Sequence, residues 1–483
     1  MKETEKPAAS APSRRDFIKS SALAASAFFI VPRHVLGKGY IAPSDKLNIA
    51  GIGVGGKGKS DLASFAKSPK VNIVALCDVD DRQAVDSRKA FPKAKYYKDF
   101  REMLEKEKNV IDACSISTPD HTHAVATLAA MQLGKHVYTQ KPLTHSINEA
   151  RILTQAAKKY KVVTQMGNQG ASGNGVRRMK EIYDSGIIGH VDRVLCWTNR
   201  PVWPQAVPTD KTFQVPKELD FDLWLGPAKK VPYNEAFLPW NWRGWWDYGT
   251  GALGDMACHI MDPVFRILPI DYPKSVEVSV AGNWTMTLRP QDDEPAWTPF
   301  STNVHLVYPR KDGQGDIKLS WYDGGILPEI PEELKEGEEF GNSDGGVLFI
   351  GSKGKLMADC YGARPRLVPL RDNEFVNIPE SIPRVPDEDH YLQWVNACIA
   401  GYGNAETSSP FEYAGPFTES ILIGNVAIRT WMMRDNPSGR RTVDKYNGRK
   451  KLLWDAKEGR VTNWDLANKY VNREYRDGWK LTL

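Results

Sequence analysis

The chain reads as two α/β units in tandem: a doubly wound parallel Rossmann-type sheet, then an α+β domain on an open, mainly antiparallel sheet. Three observations predict this. From Leu47 to about Gln165, strand-like apolar runs alternate with helical segments, the pattern of a parallel sheet covered by its crossover helices. A glycine-rich turn, Gly51-Ile-Gly-Val-Gly-Gly56, stands at the first strand–helix junction. After about residue 190 the runs lengthen, alternate in part and succeed one another through Gly/Pro turns, which favours antiparallel pairing.

The first region predicts strands at 47–50, 71–77, 110–117, 136–139 and 162–166, with helices such as Asp120–Leu133 and Ile147–Lys159 between them. The second predicts strands at 192–199, 275–284, 302–308, 316–323 and 346–359, broken by one helix near Gly254–Ile267. Ser275-Val-Glu-Val-Ser-Val-Ala shows the period of two that one buried face requires. Helices return at 390–399 and 417–433. The domains drawn this way are 45–165 and 166–436, with the last two helices available to pack back on the first domain. Residues 437–483 form a tail rich in charge and Trp, which wraps over another subunit or closes the fold.

The N-terminal 40 residues read as a leader. Ser13-Arg14-Arg15-Asp16-Phe17-Ile18-Lys19 is a twin-arginine pattern, and the apolar stretch from Ser20 to Pro32 is too short to span a bilayer comfortably. No Cys lies near its end, so no lipid or other stable membrane anchor is expected. Cleavage is expected between Val35 and Ala42. The reading is a periplasmic protein exported in the folded state. The formal charge of +5 is mostly the leader's, whose seven Lys/Arg and three Asp/Glu leave the rest near neutral. A nucleic-acid partner is not expected. The six cysteines form no Cys-x-x-Cys pair and read as buried free thiols. No metal site is expected.

The glycine turn gains meaning from its downstream neighbours. A second apolar run ends in Asp78, 22 residues after Gly56. Strand, glycine turn, helix, strand and acid together form a dinucleotide-binding fingerprint. Gly51 serves the tight turn, Gly53 the approach of the backbone to a pyrophosphate, and Gly56 close helix–strand packing. Val54 and Gly55 complete the loop, and the helix N-terminus offers N–H groups to phosphates. Asp78 accepts both ribose hydroxyls and repels a 2′-phosphate, so the expected cofactor is NAD rather than NADP. Folding before export predicts that NAD is held tightly.

Two further segments carry chemistry. Lys141-Pro142 comes after the strand His136-Val-Tyr-Thr-Gln140, at the carboxyl end of a parallel strand where such sheets bind ligands. A lysine there can steady a developing alkoxide, and a cis Lys141–Pro142 bond would fix the loop. Asp255 and His259 lie four residues apart on a helix entered through glycines, so they share a face. That pair suits general base work, His259 taking a hydroxyl proton while Asp255 orients it.

In combination these segments resemble the glucose–fructose oxidoreductase, inositol dehydrogenase and rhizopine-catabolism family, Gfo/Idh/MocA. The resemblance rests on the glycine turn, Asp78, Thr118-Pro-Asp-His-Thr-His123, Lys141-Pro142 and Asp255-x-x-x-His259, and covers roughly residues 45–435. It implies that Lys141, Asp255 and His259 are the catalytic set and that Thr118, Pro119 and His123 contact the nicotinamide half of the cofactor. It also implies a homo-oligomer formed through the open sheet, a dimer or tetramer. One position departs: the family's usual Glu before Lys-Pro is Gln140 here.

Seven of fifteen Trp fall between Trp197 and Trp246. Flat aromatic faces suit sugar rings, so Trp203, Trp242, Trp245 and Trp246 are candidate contacts to a carbohydrate, beside Lys141, Asp255 and His259. The function expected is hydride transfer between a sugar or glycoside hydroxyl carbon and bound NAD. A second reading is a glycoside hydrolase that oxidises its substrate transiently and needs one more base, Tyr248 or His390. A third, a non-catalytic sugar-binding scaffold, is disfavoured by the retention of Lys141, Asp255 and His259 together.

Overall fold

Six parallel strands form the first layer: β1 (Leu47–Ile52), β2 (Val71–Cys77), β3 (Lys95–Tyr97), β4 (Ala113–Ile116), β5 (His136–Thr139) and β6 (Thr164–Met166), ordered β3-β2-β1-β4-β5-β6. The order reverses at β1, so the glycine turn leaves the sheet at the switch point where such folds bind ligands. Crossovers are α1 (Gly56–Phe65), α2 (Asp81–Ala90), α3 (Phe100–Glu107), α4 (Asp120–Gln132) and α5 (Ile147–Tyr160). Their starts are chemically marked. The carboxylates of Asp80 and Asp99 accept the N–H groups of Arg82 and Arg101, and Ser146 with Glu149 makes a capping box. The computed structural model describes residues 46–207, 209–282, 295–369, 377–434 and 446–483. The twin-arginine leader lies outside them.

A connecting helix, α6 (Asn174–Asp184), leads to the second sheet. Its strands are β7 (Val191–Thr198), β8 (Ser275–Val280), β9 (Thr302–Pro309), β10 (Asp316–Tyr322), β11 (Gly345–Gly351), β12 (Lys355–Asp359), β13 (Arg366–Val368), β14 (Leu452–Asp455) and β15 (Arg460–Val461). They run in the order β13-β12-β11-β7-β10-β9-β8-β14-β15, antiparallel except for the β7–β10 pair. The single run expected at 346–359 is a hairpin, because Gly351 and Gly354 close a turn through a 2.9 Å backbone hydrogen bond. The tail supplies β14 and β15 to the sheet edge.

Helices α7 (Phe221–Leu225), α8 (Gly251–Ile260), α9 (Asp262–Ile267), α10 (His390–Ala400) and α11 (Phe411–Thr430) complete the α-helices among the described residues. α11 begins six residues before the expected start and runs through Pro416, where a sequence reading stops a helix. It is buried on nearly every face against α5, α8 and β8, as a helix apolar all round should be. From Leu47 onward the chain packs as one unit. All six cysteines are buried and unpaired.

Candidate active site

The site begins at the turn after β1. The Gly53 N–H donates to the Cys77 carbonyl at 2.8 Å. Gly53 has φ +75°, and a Cβ there would stand 2.8 Å from the Ser117 carbonyl; only glycine meets both demands. A Cβ on Gly58 would lie 1.8 Å from the Gly53 oxygen, whereas one on Gly56 would meet nothing within 4 Å. The close packing of α1 therefore falls to Gly58 and not to Gly56. Gly56 instead faces the cleft at the start of a helix that no side chain caps.

Asp78 ties this turn to β2. One carboxylate oxygen accepts the N–H groups of Val54 (2.9 Å) and Gly55 (3.2 Å), and the other that of Asp80 (3.0 Å). Burial pushes its pKa up to about 6 against those three donors. Gly53, Gly55, Gly56, Asp78, Thr118, Pro119 and Lys141 all line one open cleft. The open space at Gly56, an uncapped helix start and a carboxylate at the end of β2 fit a dinucleotide.

Four of the expected cofactor residues, Gly51, Val54, His123 and Pro142, stand behind that wall. Gly51 is within β1, and Val54 gives its N–H to Asp78. His123 does not touch the cofactor space, contrary to expectation. Both its ring nitrogens face carbonyls, Nδ1 that of Pro142 at 2.8 Å and Nε2 that of Thr118 at 2.9 Å. Burial pushes its pKa down to about 4. His123 thus fastens the Thr118 loop to the Lys141–Pro142 loop, whose peptide is cis.

Lys141, Asp255 and Arg243 meet in the cleft wall. The Lys141 Nζ donates to the Asp255 carboxylate at 2.7 Å and to its carbonyl at 2.9 Å. Arg243 Nε reaches the same carboxylate oxygen at 3.3 Å. The Arg243 guanidinium lies over Trp240 and Trp242, 3.9 and 4.2 Å from their ring centres. Burial alone would raise the Asp255 pKa, but Lys141 and Arg243 hold it well below the usual carboxylate range. The carboxylate bonds these two cations and not His259, which corrects the expectation that Asp255 orients the imidazole. His259 packs on the Tyr361 ring at 4.5 Å, and its buried Nδ1 has no hydrogen-bond partner. Burial, then Lys141, holds His259 well below an ordinary histidine pKa.

Sequence reasoning missed four residues here. Asp120, at the start of α4, lines the cleft and accepts the Thr250 hydroxyl at 2.7 Å; burial pushes its pKa up to about 7. From sequence it reads as a helix-start acid. Tyr361 holds φ +67°, rare for an aromatic, and no local signal announces it. Lys57 and Asp61 explain Gln140. Asp61 is fully buried and takes hydrogen bonds from Lys57, Ser117 Oγ (2.8 Å), Gln140 Nε2 (2.9 Å) and Tyr391 OH (3.0 Å). A glutamate at 140 would set a second carboxylate against it.

The tryptophans divide. Trp242 lines the cleft, together with Trp240 and Trp224, which the sequence does not single out. Trp203 and Trp245 are buried in packing; the Trp245 ring meets Phe237 edge-on at 5.2 Å. Trp246 lines a separate cavity with Ile428, Arg429 and Met432. The candidate extra bases are structural as well. Tyr248 is buried in the aromatic cluster around Trp224, and His390 uses both ring nitrogens on Ser172 and the Met166 carbonyl.

A model of an oxidoreductase family, its NAD-binding Rossmann fold, matches residues 47–168, and one of that family's C-terminal α/β domain matches 172–291. Together they cover half of the chain. A glycosyl hydrolase family 109 protein of Shewanella baltica (strain OS185) is 29% identical over 181 residues, 32% of this chain and 39% of that protein. Levoglucosan dehydrogenase of Pseudarthrobacter phenanthrenivorans is 25% identical over 226 residues, 45% of this chain and 50% of that protein. The chain thus spans half or less of the length of these curated relatives. A solved levoglucosan dehydrogenase in complex with NADH and L-sorbose shares the fold, with TM-score 0.53, 16% identity and coverage of 79% of this chain and 95% of that one.

Proposed function

The chain belongs to the Gfo/Idh/MocA family of NAD-binding oxidoreductases, and from that premise we propose that it oxidises a hydroxyl carbon of a sugar or glycoside in the periplasm, as a homo-oligomer. The observation that carries this reading is the meeting of Lys141, Asp255 and His259 in the wall of the cleft that the glycine turn opens. Gly53, Gly55, Gly56, Asp78, Thr118 and Pro119 would hold NAD, which when bound supplies the two-electron acceptor for the carbinol carbon. His259, whose buried Nδ1 has no hydrogen-bond partner and whose pKa burial and Lys141 lower, is the group placed to accept the substrate O–H proton. Lys141, fixed by Asp255, donates a hydrogen bond to the same oxygen as it becomes a carbonyl. Trp240, half exposed in the cleft wall beside the buried Trp242, offers a face for a sugar ring. Levoglucosan dehydrogenase is a relative whose name fits this chemistry.

A second reading is glycoside hydrolysis through transient oxidation. Two observations favour it: relatives named as glycosyl hydrolase family 109 proteins, and Asp120, a second titratable group in the same cleft with a pKa of about 7. Once the sugar carries a ketone, that carboxylate has the basicity to take the acidified neighbouring C–H proton as the aglycone leaves. Mass spectrometry of a glycoside panel incubated with the purified protein separates the readings. A keto-glycoside supports oxidation, and free aglycone without net change in NAD supports hydrolysis. No product from any sugar or glycoside would overturn both.

A further inference from the structure

The tail returns to the first domain and places one residue, Trp479, in the wall of the cofactor cleft. Trp479 lines that cleft with Lys98, Asp99 and Phe100. Its ring centre is 6.1 Å from that of Phe100, and the Arg101 guanidinium lies 4.4 Å over it. This places Trp479 at the β2–β3 end of the sheet: Phe100 opens α3 just after β3, and the Asp78 N–H donates to the Tyr97 carbonyl at 3.2 Å. Lys141 comes after β5, four strands away in the sheet order, which is about 19 Å at ordinary strand spacing. One end of the cleft therefore holds Lys141, and the other holds the Asp78 carboxylate, which would meet the adenosine ribose of a bound NAD.

The segment is fastened there by bonds to the first domain and to α7. Arg473 donates to the His121 carbonyl at 2.9 Å, Arg476 to the Asp222 carboxylate at 2.8 Å, and the Tyr475 hydroxyl to Glu149. Gln132 of α4 donates to the Thr482 carbonyl at 2.8 Å. These bonds reach neither Lys141, Asp255 nor His259. A flat indole held beyond the ribose carboxylate suits an adenine base, which stacks on aromatic faces.

We propose that residues 473–483 form a strap across the adenosine end of the cofactor site, and that Trp479 stacks on the adenine ring and retains NAD. The inference rests on NAD binding and not on the identity of the substrate. It gives a physical basis for tight retention, because release must then break the stacking contact or lift the strap.

The test uses purified full-length protein. Trp479→Leu keeps apolar bulk against Phe100 but removes the stacking face, and Trp479→Phe keeps a smaller one. NADH release is followed by its fluorescence on dilution, and adenine-specific binding is read with ADP-ribose against nicotinamide mononucleotide. Stacking on one base predicts about ten- to hundred-fold faster NADH release in Trp479→Leu. ADP-ribose affinity should fall in parallel, nicotinamide mononucleotide affinity should hold, and Trp479→Phe should recover much of the loss. The apo melting temperature of Trp479→Leu should stay near that of the parent. Unchanged release from Trp479→Leu, or equal weakening of both half-cofactors, would overturn the proposal.

Discussion

Asp255 sets the charge balance of the site. It neutralises Lys141 and shares its oxygen with Arg243, so the imidazole four residues on stands beside a cation without a carboxylate of its own. His259→Ala and Lys141→Ala should each lose about 10²–10⁴-fold in turnover while NAD binding is kept. Asp255→Asn should lose at least as much as Lys141→Ala, because it leaves two partly buried cations facing each other without their shared carboxylate. A milder loss in Asp255→Asn would show that the pair is dispensable. The acid limb of the rate profile depends on the same geometry. A base whose pKa is lowered on folding stays neutral as pH falls through about 6.5, so activity should persist there and fall only at lower pH. A limb centred at about 6.5 or above would mean that His259 is not the base. Gln140 offers a test by stability. Gln140→Glu buries a carboxylate against Asp61 and should cost about 3 kcal/mol, read as a lower melting temperature. Pairing it with Asp61→Asn should restore part of the loss, and strict additivity of the two changes would remove the proposed pairing.

At the scale of elements, the first turn depends on a contact that the fingerprint does not name. A Cβ at 58 meets the Gly53 oxygen at 1.8 Å, so Gly58→Ala must push α1 off the turn. It should cost about 1–3 kcal/mol and lower the melting temperature without NAD, whereas Gly56→Ala, at φ +45° with its methyl in the cleft, should act mainly by weakening NAD binding. Calorimetric melts with and without NAD measure both effects, and an unchanged melting temperature of Gly58→Ala without NAD would contradict the assignment. Much of the architecture was legible in the sequence because periodicity reports local burial. The five expected strands of the first sheet and both groups of returning helices appear, and the glycine turn and Asp78 come together as spacing implied. What stayed hidden was not local. Asp61 meets Gln140 from another element, Tyr361 reaches His259 from the turn after β12, and Trp245 is distinguished from Trp240 only by which face the packed chain covers. Helical spacing matches Asp255 to His259, but Lys141 and Arg243, distant in sequence or on the preceding turn, take its oxygen.

For the whole molecule the question is where it works and in what state it arrives. If the chain is exported with its cofactor, as proposed, folding and NAD binding must precede translocation. All six cysteines are buried and unpaired, in both halves of the chain, so none of its packing waits for an oxidising environment. The cleft draws its wall from the first sheet, from α8 and the loops of the second half, and from Trp479 of the tail, so the site is complete only when these segments have come together. If Arg14 and Arg15 address that finished particle to the twin-arginine route, changing both to Lys should leave folded protein with NAD in the cytoplasm. Fractionation of cells carrying the parent and the double variant, with NAD released by denaturation and assayed in each fraction, measures this. The parent should be found in the periplasm with about one NAD per chain, and in a strain without the twin-arginine translocase it should stay inside. Equal periplasmic yield in that strain would refute the route. A periplasmic protein empty of NAD would separate export from cofactor retention and leave Trp479 without the task proposed for it.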